Sequence, residues 1–260
     1  TIDARKLSLQ IDAIAYSVDF PWRVNLTTDF PPGSKLPPQM NPNASLTGAT
    51  YLFPFVLGKS PGTLNQRSNW YVPSPTGQRA TVNLRSCRAM ASVGSSGFRS
   101  RYAWAEGGKR SRDAKAGRRY LLATMLGVTT GRGNTVEEVL ACLDRAVEAE
   151  ASPPEGTFYF QRRPAPRSTP RHSCFEPVAQ QLRELGAKAA VRPGAIPRGA
   201  QDIAGLMTGA KTLDFSGLRF QPGAIADNLT SYGGVLTRGA GQTPLSDLIR
   251  AGATGASGTV

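Results

Sequence analysis

Asp19, Asp227 and Ser231 are the side chains whose types and positions best suit a reaction. Asp19 closes the first apolar run of the chain, and Asp227 stands four residues before Ser231 in the stretch DNLTSYGG. Two carboxylates brought together at neighbouring strand ends can hold a hard cation or divide acid and base roles between them. The same residues also read structurally, with Asp19 capping a turn and Asp227 taking a nearby amide or pairing with Arg23. Arg23, Thr208, Asn228, Thr230 and Tyr232 supply charged, hydroxyl and amide groups around these positions, three of them just before the flexible Gly233-Gly234 pair. They suit contact with a ligand, or a turn satisfied by its own side chains.

Other routes to catalysis find less material. Cys87, Cys142 and Cys174 form no C-x-x-C pair, and the chain has one histidine, His172. That set cannot make a zinc site of the usual kind. His172 and Cys174 tempt a nucleophile–base reading, but they sit close together in a basic, Pro-rich loop, whereas such partners usually meet from distant parts of a chain. No G-x-G-x-x-G, P-loop, G-x-S-x-G or H-E-x-x-H pattern occurs. No cofactor and no metal are expected.

The net charge is +13, from 31 Lys and Arg against 18 Asp and Glu. A field of that sign attracts polyanions. The densest basic run includes Arg99, Arg101, Lys109, Arg110 and Arg112, with Tyr102 and Trp104 inside it. No nucleic-acid-binding motif accompanies the run, so a solvated loop is the plainer expectation. No apolar window approaches the roughly 18 residues of a membrane span.

The elements that must position these residues follow from periodicity. Leu9 to Val18 and Tyr120 to Leu126 read as buried strands, and residues 25–118 between them read as a long loop-rich insertion, with one short helix or strand in Leu46 to Leu57. Thr135 and Glu138 form a capping box for a helix whose apolar stripe is Val136, Val139, Leu140, Leu143 and Val147. Thr157 to Phe160 opens another strand. Phe175, Val178, Leu182 and Leu185 form a second helical stripe, ended by Gly186. Ala187 to Val191 and Asp202 to Met207 read as strands, Thr243-Pro244 as a helix start, and Ala256 to Val260 as a last strand. This alternation predicts an α/β fold: a mostly parallel sheet with helices on both faces, in three layers, forming one domain over 1–260. The strands over 11–18, 202–207 and 256–260 are expected side by side in one sheet. Ligands then bind beyond their carboxyl ends, at Asp19 to Arg23, Thr208 to Lys211 and Asp227 to Gly234.

Several stretches together resemble an uncharacterised family of bacterial exported proteins found in genomes with the exosortase and PEP-CTERM sorting system. They include IDAIAYSVDFPWRV, YLLATMLGVTTGRGNTVEEVLACLDRA, IPRGAQDIAGLMTG, PGAIADNLTSYGGVL and AGQTPLSDLIRAGATGASGTV. The resemblance implies an extracytoplasmic protein, periplasmic or at the cell surface, and a chain here trimmed at both ends. It implies no activity. More distantly, the element order is similar to caspase-like peptidases of the gingipain and clostripain kind. Their catalytic His-Gly and Cys would fall on Thr208-Gly209 and Ser231, so the resemblance implies a site without the peptidase pair. The function expected is binding of a small molecule, peptide or cell-surface partner at the strand-end crevice. The alternatives are a hydrolase, metal-assisted or not, using Asp19, Asp227 and Ser231, and a polyanion-binding surface at 99–119.

Overall fold

The computed structural model describes residues 13–25, 43–51, 103–105, 109–111, 118–119, 122–150, 154–237 and 241–259. The chain divides into two compact units, Thr1–Met125 and Leu126–Val260.

In the first unit, β1 (Ala13–Tyr16) pairs in parallel with β7 (Leu122–Met125) as a separate two-stranded sheet. This corrects two expectations. The strands expected to be buried are only partly covered: Ala15 and Thr124 are exposed while Ile14, Tyr16, Ala123 and Met125 are half-buried. Nor does β1 lie in the sheet that carries 202–207. An apolar run announces a strand, but a strand's burial depends on what covers it.

The span 25–118 contains regular elements. β2 (Arg23–Asn25) pairs antiparallel with β3 (Asn43–Ser45), which leads into α1 (Leu46–Tyr51). The Tyr16 and Thr50 hydroxyls hydrogen-bond at 2.5 Å. Within the basic run, β4 (Ala103–Ala105) pairs antiparallel with both β5 (Lys109–Ser111) and β6 (Arg118–Arg119). Those segments are strands where a loop was expected; Arg99, Arg101 and Arg112 lie outside the described residues.

The second unit carries the α/β architecture. Its elements are α2 (Val136–Ala149), β8 (Thr157–Arg162), a 3₁₀ turn at Thr169–Arg171, α3 (His172–Glu184), β9 (Lys188–Pro193), β10 (Ile203–Thr208), β11 (Phe220–Asn228), α4 (Leu245–Arg250) and β12 (Gly255–Ser257). The five strands form one sheet in the order β12-β11-β10-β8-β9, every pair parallel. Residues alternate between its faces. Tyr159, Leu206 and Ala226 pack with Leu248 of α4 on one face. Phe160 and Met207 pack with Phe175 and Ala179 of α3 on the other. Helices therefore cover both faces, as the alternation predicts. Phe175 is 1% exposed, and burying such a ring contributes about 2–3 kcal/mol.

Helix ends follow their local chemistry. The Thr135–Glu138 capping box is complete in both directions. Gly186 terminates α3 with φ of 86°, and the Ala187 amide donates to the Leu182 carbonyl. Along α2 the predicted stripe splits: Val139 is buried, whereas Val136, Leu140 and Val147 are 57%, 55% and 70% exposed. Pro244 sits at the N-cap of α4, not inside its first turn. β11 runs through Pro222-Gly223 because its register against β10 jumps there, from Ile203↔Phe220 to Gly205↔Ile225. Such an irregularity accommodates a proline that cannot donate.

Candidate functional site

Taken in order of occurrence, the five strands of the second unit are arranged 2-1-3-4-5. In that arrangement the topological switch point lies between the first and third strands, here β8 and β10. Their carboxyl ends carry Gln161-Arg162 and Thr208-Gly209. The loop after β8 lies directly on this point. A Cβ on Gly209 would stand 2.2 Å from the Arg167 carbonyl oxygen and 2.8 Å from the Ser168 Cα, so only glycine allows the two loops to touch.

Ser168 is 1% exposed and organises the loop. Its Oγ accepts from the Arg163 amide at 3.2 Å, donates to the Gln161 carbonyl at 3.1 Å and lies 2.8 Å from His172 Nε2. A hydroxyl has one proton. With Oγ donating to Gln161, His172 Nε2 supplies the N–H of the second contact, the reverse of the polarity a nucleophile and its base require. Burial, and the Arg162 guanidinium after it, hold the imidazole below its ordinary pKa, which keeps it neutral near pH 7. His172 is thus a latch for Ser168. Cys174 is exposed, its Sγ 3.9 Å from the Ser173 hydroxyl, and His172 turns to Ser168.

Arg171 crosses from this loop to the next strands. Its guanidinium donates to the Asp227 carboxylate and to the Thr208 carbonyl. The other Asp227 oxygen accepts from the Ser257 hydroxyl. The segment after β8 is therefore stitched to the carboxyl ends of β10, β11 and β12 by one arginine and one aspartate.

The expected site residues fall into separate groups. Asp19 is in the turn after β1, exposed and with φ of 61°, and Arg23 is exposed on β2; both belong to the first unit. Thr208 is 1% exposed and donates to the Ala195 carbonyl at 2.5 Å. Asn228 makes a reciprocal amide pair with the Ala210 backbone, 3.0 Å in each direction. Thr230 donates to Gln242 Oε1, which also accepts from the Tyr232 amide at 3.0 Å. Ser231 and the Tyr232 ring are exposed. Asn228, Thr230 and the Tyr232 amide are thus held by Ala210 and Gln242, as a structural role for these residues requires. Among the described residues no three His, Cys, Asp or Glu groups gather as a metal would need.

Sequence reasoning missed Gln161, Ser168, Arg167 and Arg171. Gln161 is fully buried, and neither its amide oxygen nor its amide nitrogen has a hydrogen-bond partner among the described residues. Arg167 Nε and Arg171 Nε are also buried without partners among the described residues. A signal was present: residues 162–171, RRPAPRSTPR, hold four arginines and no acid. No protein-family model, curated protein or solved structure matches the chain.

Proposed function

We propose that the chain is an exported binding protein whose second unit takes a small molecule, peptide or cell-surface partner at the carboxyl ends of β8 and β10. One observation carries this reading: the buried Gln161 amide, unpaired at both atoms, at the switch point of a parallel sheet. Leaving a buried polar group unmet costs about 1–3 kcal/mol, and a chain that retains the amide gains when a ligand pairs with it. The export address rests on the family resemblance.

The same reading makes the chain no cysteine peptidase. Thr208 and Ser231 stand where the resemblance would put histidine and cysteine, and both Asp227 oxygens are engaged by Arg171 and Ser257. Hydrogen exchange of the full chain against fractionated small-molecule and peptide mixtures tests the binding site. Protection of 161–172 and 208–211 by any fraction supports it; protection confined to other segments, or none, overturns it.

A further inference from the structure

Resting on that binding site, we infer that its ligand is an oxyanion that keeps one hydroxyl, as hydrogen phosphate or a hydroxy acid does. Six buried side-chain nitrogens and oxygens lack partners among the described residues, and four of them lie on Gln161, Arg167 and Arg171. All four lie at the carboxyl end of β8 or in the segment that follows it. Three of those four atoms are N–H donors: Gln161 Nε2, Arg167 Nε and Arg171 Nε.

Arginine does not lose its proton in proteins, so these donors cannot be silenced by titration. They need acceptors. The carboxylate that reaches this end, Asp227, is already committed to Arg171 and Ser257. The Thr208 carbonyl is likewise engaged, by Arg171 and by the Leu229 amide at 3.0 Å. What the site lacks is acceptor oxygen beside fixed positive charge, and oxyanions supply that with short, charge-assisted bonds. The fourth atom, Gln161 Oε1, is an acceptor and calls for one donor from the same ligand.

Asp227 and the Thr208 carbonyl take the two terminal guanidinium nitrogens of Arg171, and its buried Nε has no partner among the described residues. The Ser168–His172 contact holds the loop carrying Arg167 and Arg171 over the strand ends. An anion that pairs with this Nε leaves the Asp227 contact with the terminal nitrogen in place.

Titration calorimetry of the full chain with inorganic phosphate and sulfate, and with glycolate and acetate, at matched ionic strength tests this. Saturable binding is expected, with phosphate above sulfate and glycolate above acetate, since the weaker member of each pair lacks the hydroxyl near neutral pH. The better-bound pair tells phosphate ligands from hydroxy acids. Arg167→Gln and Gln161→Met should each weaken binding about tenfold, whereas Arg145→Gln, which removes an unpartnered Nε elsewhere, should leave it unchanged. Because Arg171→Gln strands Asp227, it is paired with Asp227→Asn, and binding by that folded double variant should also fall.

Absence of saturable binding by all four anions overturns the inference, as does equal loss in the Arg145 control. Equal affinity within both pairs overturns the hydroxyl requirement. If hydrogen exchange still finds protection of 161–172 by another ligand, the binding reading survives and the oxyanion inference alone fails.

Discussion

Two loops leave the same end of the same sheet with opposite hydrogen-bond accounts. At the end of β11 the polar groups are met: Asn228 pairs both ways with Ala210, and Gln242 gathers Thr230 and Tyr232. The loop after β8 is held just as firmly by Ser168, yet leaves donors on Arg167 and Arg171 and a whole amide on Gln161 unmet. The contrast separates support from recognition. Groups that stabilise a fold are satisfied within it, whereas groups kept for a partner cost stability until the partner arrives.

The comparison makes opposite demands of substitutions on the two sides. The largest effect is expected from Asn228→Ala, which strands the Ala210 N–H and C=O in a buried position. It should lower unfolding stability by about 3 kcal/mol in denaturant titration and leave anion binding intact. A loss under about 1 kcal/mol would show that the end of β11 is not held by this pair. Next, Gly209→Ala drives a methyl into the Arg167 carbonyl. It should cost about 2 kcal/mol and weaken anion binding together, because it displaces the loop from its neighbour. Binding untouched by that change would break the link between the loop contact and the site.

Gln161→Met sharpens the contrast with a sign reversal. Removing an unpaired buried amide should raise stability by about 1 kcal/mol while anion affinity falls. Loss of stability would mean the amide is a structural group. The smallest effect is expected from pH. His172 has a folded pKa below the ordinary imidazole value, so near pH 6 the unfolded chain binds more protons than the folded one. Stability is thus fully present above about pH 6.5 and falls as pH drops through the folded value. Because His172 is the single histidine, its imidazole resonance reports the titration without assignment, and His172→Gln should flatten the slope. A midpoint above 6.5 would reverse the sign and contradict the buried latch.

The sequence was a good guide wherever a local rule sufficed. The capping box of α2, the Gly186 terminus of α3, the TFYF strand and the DIAGLM strand all follow from side chains a few residues apart. It misled where burial was the question. Leu9 to Val18 and Tyr120 to Leu126 have strand composition, but the strands described within them, Ala13–Tyr16 and Leu122–Met125, form a two-stranded, half-exposed pair. The stripe of α2 has helical spacing, yet Val136, Leu140 and Val147 stay exposed. β11 was obscured by Pro222-Gly223, whose irregularity depends on the neighbouring strand.

The site divides in the same way. Thr208, Asn228 and Asp227 were picked out by their place at strand ends, and they do lie there. Gln161 and Ser168 were invisible, because an unmet amide or a hydroxyl with three neighbours is a property of packing and not of spacing. Asp19 and Arg23 lie on elements of the other unit.

The most direct measurement observes the side-chain N–H groups themselves. In protein labelled with ¹⁵N, the Nε–H resonances of Arg167 and Arg171 and the Gln161 amide are followed while inorganic phosphate is added at constant ionic strength. The account predicts saturable shifts of all three with one common midpoint, and no movement of the Asn228 amide. Shifts that never saturate, or that appear equally at Arg145 and Asn228, would contradict it.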